Sequence, residues 1–336
     1  MEPTVVIAGR LRRDYLLPPE GRALVDVPGG DLLYAAAGTG IWENQLGLVG
    51  RVGEDYPQEW LRTFEQYGWD TRGVHTLEGP LDLRFFQARL DPFTFQRANP
   101  LTHFARMNLP FPKALLGYQP PADTDDRKTI PPDAPRPADI PPDYLDAHAV
   151  HMCPLDYLTT SRLLSTFRQA NVTFLSVDPS SAYLTATAQE DLRSLLHGVT
   201  AFLPSEEELR AIFWGRTNDL WQMAETLGSF GCEFIVVKRG AHGQMLYDSI
   251  SKKRWEVPAY PARLEDPTGA GDSFCGGFTA GYLKTFDPLQ AVLHGSISAS
   301  LTIEGSGAFH ALDAHAVHLC PLDYLTTSRL LSTFRQ

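Results

Sequence analysis

The sequence contains no uninterrupted apolar stretch of about 18 residues, the length that a membrane-spanning helix requires. Its first ten residues, MEPTVVIAGR, also lack a basic region followed by an apolar stretch and a small-residue cleavage site. We therefore expect a protein with no transmembrane helix and no signal peptide, located in the cytoplasm.

Cysteine is scarce, and the four cysteines (Cys153, Cys232, Cys275 and Cys320) form no CxxC pair. This spacing argues against a disulfide framework or a zinc site and is typical of buried thiols in a reducing compartment. Basic residues are fewer than acidic ones, 29 Lys and Arg against 40 Asp and Glu, so the formal net charge is −11. An acidic surface argues against nucleic acid or an anionic membrane as a partner.

Two common phosphate-binding motifs are also missing. The sequence has no GxxxxGK[ST] P-loop, and no GxGxxG follows a predicted strand and opens a helix. If the substrate is a polyphosphate, its site must therefore be a local exception made of main-chain amides, metal ions and a few cations.

What the sequence does contain is a repeated alternation of β-branched runs and amphipathic segments. The pattern predicts strands at 4–9 and 46–55, a helix at 57–70 and an exposed strand of a smaller sheet at 81–91. From residue 145 onward, strands and helices alternate regularly. This order predicts an α/β fold with a mostly parallel sheet and helices on both of its faces.

Polar or glycine-rich segments follow four of the predicted strands. They are Asp178, residues 205–208, Gly240 and residues 266–272. Ligands of parallel α/β sheets bind at the carboxyl ends of the strands, so we expect these segments to converge on one crevice.

Two stretches depart from the alternation. Residues 118–143 hold eight prolines and almost no large apolar residues, which predicts a long surface loop. Residues 145–169 reappear at 312–336 with one change, Met152 to Leu319. Because both copies cannot occupy one place in a sheet, we interpret 312–336 as a non-native tail without chemistry.

The segment EDPTGAGDSFCGGF (265–278) combines a glycine-rich turn with the start of a helix near Asp272. A helix N-terminus attracts anions, and the small residues Gly269, Ala270 and Gly271 let a bulky anion approach its amides. An aspartate beside such a site can accept a proton from an attacking hydroxyl. The alternative interpretation is a tight turn in which Asp272 only starts the helix.

Residues 266–281, DPTGAGDSFCGGFTAG, resemble the C-terminal signature of the ribokinase-like (PfkB) carbohydrate kinases over its whole length, and weaker similarity extends over about 4–310. The resemblance implies one kinase domain at 1–310. Its fold would be ribokinase-like, with a mostly parallel central sheet between helices and a small β-sheet lid. The lid strands would lie within about 10–30 and 80–105, and the resemblance also implies a homodimer formed through the lid.

The same resemblance assigns roles around the proposed phosphoryl transfer. Asp272 would be the catalytic base, and the amides of residues 269–271 would form the anion hole. Asp14, Gly29 and Gly30 would bind a sugar or sugar-like acceptor.

On the donor side the resemblance implies ATP with Mg²⁺. Gly240 and Gly243 of GAHG, with Lys238 before them, would lie by the nucleotide, and Glu208 would organise the metal. Two of these residues keep an alternative interpretation. Lys238 would otherwise be a solvated strand end, and Glu208 an acidic residue favoured by the helix dipole.

The chain also departs from the family pattern. Tyr34 lies near the place where the family has an asparagine after its GG turn, and Ser205 replaces the asparagine of N-x-x-E. We therefore expect phosphorylation of a hydroxyl of a small sugar-like substrate and keep two alternatives. One is a nucleoside kinase of the same fold, and the other is a catalytically impaired regulatory relative that binds a nucleotide or a sugar.

Overall fold

The structure is a computed structural model that describes residues 2–19, 21–91, 94–122 and 124–313. These residues form thirteen strands in two sheets. The strands are β1 (Val5–Ala8), β2 (Arg12–Leu17), β3 (Leu24–Gly29), β4 (Leu46–Gly53), β5 (Asp70–Leu77), β6 (Arg84–Arg89), β7 (Phe95–Gln96), β8 (Ala149–Met152), β9 (Phe174–Val177), β10 (Ala201–Phe202), β11 (Phe234–Lys238), β12 (Gln244–Asp248) and β13 (Arg254–Val257).

The main sheet has nine strands in the order β13-β12-β11-β10-β9-β8-β1-β4-β5. All neighbours from β11 to β5 pair in parallel, whereas β12 and β13 add an antiparallel edge. The central strands β1, β8 and β9 are buried at every residue, as expected for parallel strands covered on both faces. The predicted mostly parallel sheet is thus confirmed.

All but one of the described helices cover the two faces of this sheet. The described helices are α1 (Asp31–Gly40), α2 (Gln58–Gln66), α3 (Pro100–Arg106), α4 (Tyr157–Arg168), α5 (Gln189–Leu196), α6 (Glu206–Ile212), α7 (Leu220–Gly228), α8 (Ala270–Thr285) and α9 (Pro288–Ile303). The exception is α3, which packs against the smaller sheet. One core cluster contains side chains of α4 to α7, and the other contains side chains of α1, α2, α8 and α9. Among these described helices, none is both long and apolar enough to cross a bilayer.

The smaller sheet, which we call the lid, has the order β3-β2-β6-β7. Its strands fall within the predicted ranges, and β6 is the strand of a smaller sheet predicted at 81–91, but the expectation that this strand is exposed is wrong. Phe86 and Ala88 of β6 are buried because they pack with Phe104 of α3 and with Leu115 and Tyr118. The outer face of the lid is therefore covered by the chain itself, and a homodimer contact through the lid would have to use its edges or the outside of α3.

The proline-rich segment 118–143 is only partly the surface loop that its composition predicts. Most of its described residues are irregular, with a short 3₁₀ turn at Pro137–Asp139 and the start of a second at Pro142–Asp146. Ala134, Asp139 and Ile140 are nevertheless buried, and the Asp139 carboxylate accepts two hydrogen bonds from Arg51, at 2.6 and 2.9 Å. The segment is thus anchored to the domain.

The first copy of the repeated sequence provides β8 and α4. Strand β8 is paired on both sides, with β1 and β9. Of the second copy, 312–336, the stretch 314–336 lies outside the described residues.

Candidate active site

A cavity of about 390 Å³ lies between the lid and the start of α8. Its walls include Asp14 of β2, Gly30 and Asp31 at the start of α1, and Gly269 and Asp272 at the start of α8. The volume lies within the ordinary range of small-molecule sites. The structure thus brings the predicted base, Asp272, to one cavity with Asp14 and Gly30, two of the three predicted acceptor-binding residues. The third, Gly29, is not among the residues that line this cavity.

The glycine-rich loop forms the N-terminus of α8, and the helix begins at Ala270 rather than near Asp272. The Ala270 N–H donates to Pro267 O at 3.3 Å. The N–H groups of Gly269 and Gly271, in contrast, donate no hydrogen bond to any described residue. Two amides of the predicted anion hole therefore remain able to bind an anion.

The two glycines of this loop are required for different reasons. Gly269 has φ +76°, and a Cβ there would lie 2.0 Å from the Tyr34 ring. A Cβ on Gly271 would meet only the end of the Lys238 side chain, at 3.5 Å from Nζ. Gly269 therefore allows close packing of α1 against the loop, whereas Gly271 leaves open space beside its amide.

Asp272 lies half-buried in the first turn of α8 and lines the cavity. Burial raises the pKa of its carboxyl well above the ordinary value, and the nearby carboxylates Asp178 and Asp31 raise it further. A carboxylate with a raised pKa is a stronger base, which suits proton abstraction from a hydroxyl.

Asp14 faces the same cavity from the lid. Its side chain fills the space beside Gly29, where a Cβ would lie 1.9 Å from Asp14 Oδ2. The Asp14 Oδ1 atom is buried without a hydrogen-bond partner among the described residues. Burial raises the pKa of Asp14 to about 7, although Arg12 acts against this rise.

Two further polar groups beside Asp14 were not assigned a role from sequence. The Tyr34 hydroxyl is buried without a partner in the described part of the chain. Asp31 Oδ1 accepts the N–H groups of Arg10 at 2.6 Å and Leu32 at 2.7 Å, and burial raises the pKa of Asp31 to about 6. The position of Asp31 directly after the GG turn is the signal that could have identified it.

The lid contacts the glycine-rich loop through Thr268. Gln87 Nε2 and Arg89 Nε of β6 donate to Thr268 Oγ1 at 3.1 and 3.3 Å. The same hydroxyl donates to Asp266 Oδ1 at 2.7 Å. These bonds hold the lid over the loop.

The lid also gives the cavity an aromatic wall. Phe85 and Phe95 line it together with Arg97, whose guanidinium carbon lies 5.0 and 4.8 Å from the two ring centroids. Such stacked π and guanidinium faces bind planar rings.

A second polar cluster lies behind the glycine-rich loop. Lys238 Nζ is 2.6 Å from Asp178 Oδ2 and 3.5 Å from Cys275 Sγ. Burial acts to lower the pKa of Lys238, but Asp178, Cys275 and Glu208 act together in the opposite direction and the pKa is raised overall. Lys238 is therefore neither a solvated strand end nor part of the cavity wall.

Glu208 and Ser205 form a reciprocal cap at the start of α6, with bonds of 2.8 and 3.2 Å. Burial, followed by the charge of Asp178, raises the pKa of Glu208 to about 7. No group of three or more potential metal ligands occurs among the described residues. A Mg²⁺ ion fits this arrangement only in its usual form, held by one or two carboxylates, water and substrate phosphates.

Gly240 and Gly243 shape the turn between β11 and β12. Both have positive φ, +53° and +76°. A Cβ on Gly243 would lie 2.0 Å from Val257 O, whereas one on Gly240 would meet no atom within 4 Å. Gly243 is thus required by packing, and Gly240 leaves open surface for a ligand.

The chain is similar to known proteins in sequence. The family model described as pfkB family carbohydrate kinase matches residues 143–314. A cytidine kinase of Thermococcus kodakarensis is 27% identical over 280 residues, which are 83% of this chain and 88% of that protein.

Solved structures share the fold. A crystal structure from E. coli in complex with ATP and Mg²⁺ has a TM-score of 0.69 and 17% identity, covering 94% of this chain and 98% of that chain. A ribokinase from Giardia lamblia has a TM-score of 0.68 and 17% identity, covering 96% and 100%. At this level of identity the likeness establishes the ribokinase fold.

Proposed function

This chain belongs to the pfkB family carbohydrate kinases, which are phosphotransferases with hydroxyl acceptors, and on that premise we propose that it phosphorylates a sugar hydroxyl with ATP. One observation carries the proposal. The half-buried Asp272, at a helix N-terminus with free amides, shares a cavity with the unpartnered Asp14 Oδ1 and Tyr34 hydroxyl.

In this proposal the acceptor is held by polar atoms that otherwise lack partners. Asp14 Oδ1 accepts a hydrogen bond from one acceptor hydroxyl, and the Tyr34 hydroxyl bonds a second oxygen. These bonds remove the cost of leaving buried polar atoms unsatisfied. They also orient the reacting hydroxyl toward Asp272.

Asp272 then takes the proton of the reacting hydroxyl. At the same time the hydroxyl oxygen of the acceptor forms a new bond to the γ-phosphorus, and the bond between this phosphorus and the oxygen that leaves with ADP breaks. The N–H groups of Gly269 and Gly271 donate to the transferred phosphoryl group and hold its charge. The lid, joined to this loop through Thr268, excludes water and so prevents hydrolysis.

When bound, ATP supplies the phosphoryl group and Mg²⁺ neutralises its charge. The presence of both in the E. coli structure of the same fold supports this choice of donor. We assign Gly240 to the nucleotide and Glu208, through water, to the metal. Lys238 would act from behind the loop, since its ammonium group is paired with Asp178.

Release of ADP in the presence of candidate acceptors tests the proposal. We expect turnover with at least one member of a panel of pentoses, hexoses and nucleosides. Asp272→Asn should lower kcat by about 10²–10⁴-fold while leaving the Kd for ATP, measured by calorimetry, within about threefold.

Asp287→Asn is the matched control for that variant. Asp287 caps the neighbouring helix α9 and lies outside the cavity, so the same change there should leave kcat unaltered. Full activity of Asp272→Asn would exclude Asp272 as the base. Absence of turnover with every acceptor would favour a regulatory relative that only binds its ligands.

A second candidate acceptor, a nucleoside, is favoured by the aromatic wall of the lid. Phe85, Phe95 and Arg97 present planar groups to the cavity, on which a nucleobase could stack. The similar protein from Thermococcus kodakarensis is a cytidine kinase. If this candidate is correct, Phe95→Ala should raise the KM for a nucleoside and leave the KM for the free sugar unchanged.

A further inference from the structure

The proline-rich segment 118–143 contributes a wall to the candidate active site. Pro121 and Ala122 line the acceptor cavity and also a neighbouring cavity of about 850 Å³. Both side chains are exposed to these cavities. Pro121 and Ala122 thus lie at the boundary between the acceptor cavity, which we call the inner cavity, and the neighbouring cavity.

Contacts immediately after Ala122 fix this wall to the loop that follows β9. The Asp125 N–H donates to Ala182 O at 3.1 Å, and Asp125 Oδ2 accepts the Tyr157 N–H at 2.7 Å. Arg127 pairs with Asp191 and donates to Tyr183 O. Several independent bonds therefore determine where Pro121 and Ala122 lie.

A further anchor reaches the acceptor-binding residues themselves. Asp133 pairs with Arg12 at 2.7 Å and with Arg10 at 3.2 Å. Arg12 is two residues from Asp14, and the Arg10 N–H donates to Asp31. Asp133 thereby joins the proline-rich segment to the part of the chain that carries Asp14 and Asp31, two of the carboxylates that line the cavity.

We propose that the segment 118–143 is a specificity element, in which Pro121 and Ala122, held through Asp133, limit the size of the acceptor that the inner cavity admits. The inference rests on the proposed kinase function, because it concerns the acceptor of that reaction. It predicts that changes in the wall alter acceptor kinetics and leave ATP kinetics unchanged.

Enlarging the side chain of the wall provides the first test. Ala122→Phe should raise the acceptor KM at least tenfold and keep the ATP KM within twofold of the wild-type value. The rise in the acceptor KM should be greater for a nucleoside than for its free sugar. Ala138→Phe is the matched control, since Ala138 is an exposed alanine of the same segment that lines neither cavity.

Loosening the wall provides a second test. Asp133→Asn should change the ratio of nucleoside to free-sugar kcat/KM by at least tenfold. Asp139→Asn removes a carboxylate from the same segment, but Asp139 binds Arg51 away from both cavities and should preserve this ratio.

The outcomes separate this inference from the proposed function. The wild-type protein could turn over an acceptor while Ala122→Phe leaves the acceptor KM within twofold and Asp133→Asn leaves the nucleoside-to-sugar ratio of kcat/KM within twofold. That result would overturn the specificity element alone. A wild-type protein without turnover on any acceptor would overturn the proposed function, and this inference with it.

Discussion

At the scale of single residues, the buried carboxyl of Asp14 lowers the stability of the folded protein at neutral pH while serving the proposed acceptor binding. Its carboxylate is 2% exposed, and burial raises its pKa from 3.8 to about 7. The folded protein therefore binds a proton more tightly than the unfolded chain between these pH values. The resulting contribution to stability is complete below the ordinary pKa and is lost as pH rises through about 7.

Asp14→Asn should consequently stabilise the protein above pH 7 while abolishing acceptor binding. The difference between the two pKa values corresponds to about 4 kcal/mol, which is the upper limit for the gain in unfolding free energy at pH 8. The gain should vanish near pH 4. Urea unfolding of both proteins from pH 4 to pH 8 measures it.

Asp26 of the lid is the control for this prediction because its pKa shift has the opposite sign. The hydrogen bond from Arg13 lowers the pKa of Asp26. Asp26→Asn should therefore destabilise at neutral pH, and this loss should shrink in acid. A gain in stability from Asp14→Asn that did not depend on pH would contradict the conclusion that Asp14 is a buried carboxyl with a raised pKa.

The raised pKa of Asp272 predicts the pH dependence of turnover. A base must be ionised to accept a proton, so activity should fall as pH decreases through a pKa well above that of an ordinary carboxyl. The measurement is kcat/KM for the acceptor from pH 4.5 to pH 9, with the Kd for ATP followed over the same range. A rate that stays constant down to pH 5 would contradict this role.

Local sequence was sufficient to predict some of these residues and not others. Gly269, Gly271 and Asp272 lie together in one short motif, so their grouping could be recognised directly. The packing of Tyr34 against Gly269 and the pairing of Asp133 with Arg12 join residues more than 100 positions apart. Such contacts depend on the completed fold and leave no mark in the local pattern.

At the scale of elements, the separation of base and acceptor depends on how closely α1 packs on α8. A Cβ on Gly276 of α8 would lie 2.0 Å from Ala35 O, and one on Gly38 of α1 would lie 2.2 Å from Ser273 O. Helix α1 follows the GG turn, and α8 carries Asp272. The glycines thus allow the contact that sets the width of the site.

Gly276→Ala should therefore lower both stability and activity. The helices must move apart to admit the methyl group, which costs about 1–3 kcal/mol for overpacking. Gly271→Ala, in the same helix, meets only the end of the Lys238 side chain, at an ordinary van der Waals distance of 3.5 Å, and should lower kcat with little change in stability. Thermal unfolding and ADP release distinguish the two variants, and equal losses of stability would contradict this account.

The elements that sequence patterns failed to predict have a common physical reason. Strand β5 lies at the edge of the main sheet, and of its residues only Gly73 is buried. Helix α3 has seven residues and an N-cap, Asn99, in the left-handed conformation. Both elements are defined by tertiary contacts, so neither has the hydrophobic period that predicted β1, α2 and β4.

At the scale of the whole molecule, the site is assembled from segments far apart in sequence. The lid supplies Asp14, the start of α1 supplies Asp31, and the start of α8 supplies Asp272. The lid and the start of α8 face each other across one cavity, and the start of α1 completes its wall. The order of strands and helices predicted a crevice formed by Asp178, residues 205–208, Gly240 and residues 266–272, but of these segments only 266–272 lines the cavity. The other walls come from the lid, the start of α1 and the proline-rich segment, which the alternation of strands and helices did not identify.

The place that residues 145–169 occupy in the main sheet is filled by the first copy of the repeated sequence. Strand β8 has a neighbour on each side, and Leu163, Leu164 and Phe167 of α4 already fill the core below it. We propose that residues 314–336 contribute neither to the fold nor to the reaction. A chain ending at Asp313 should then keep its Tm within about 2 °C and its kcat/KM within twofold.

A chain ending at Gly307 is the control for that truncation. It loses Phe309, which stacks on Tyr67 at 5.1 Å and on Trp69 at 6.1 Å, and the fully buried Ala311. Loss of this partly buried ring and of the buried Ala308 and Ala311 removes packed apolar side chains from the core, so this shorter chain should unfold at a clearly lower temperature. If the chain ending at Asp313 lost as much stability as the chain ending at Gly307, the duplicated segment would have to be part of the working protein.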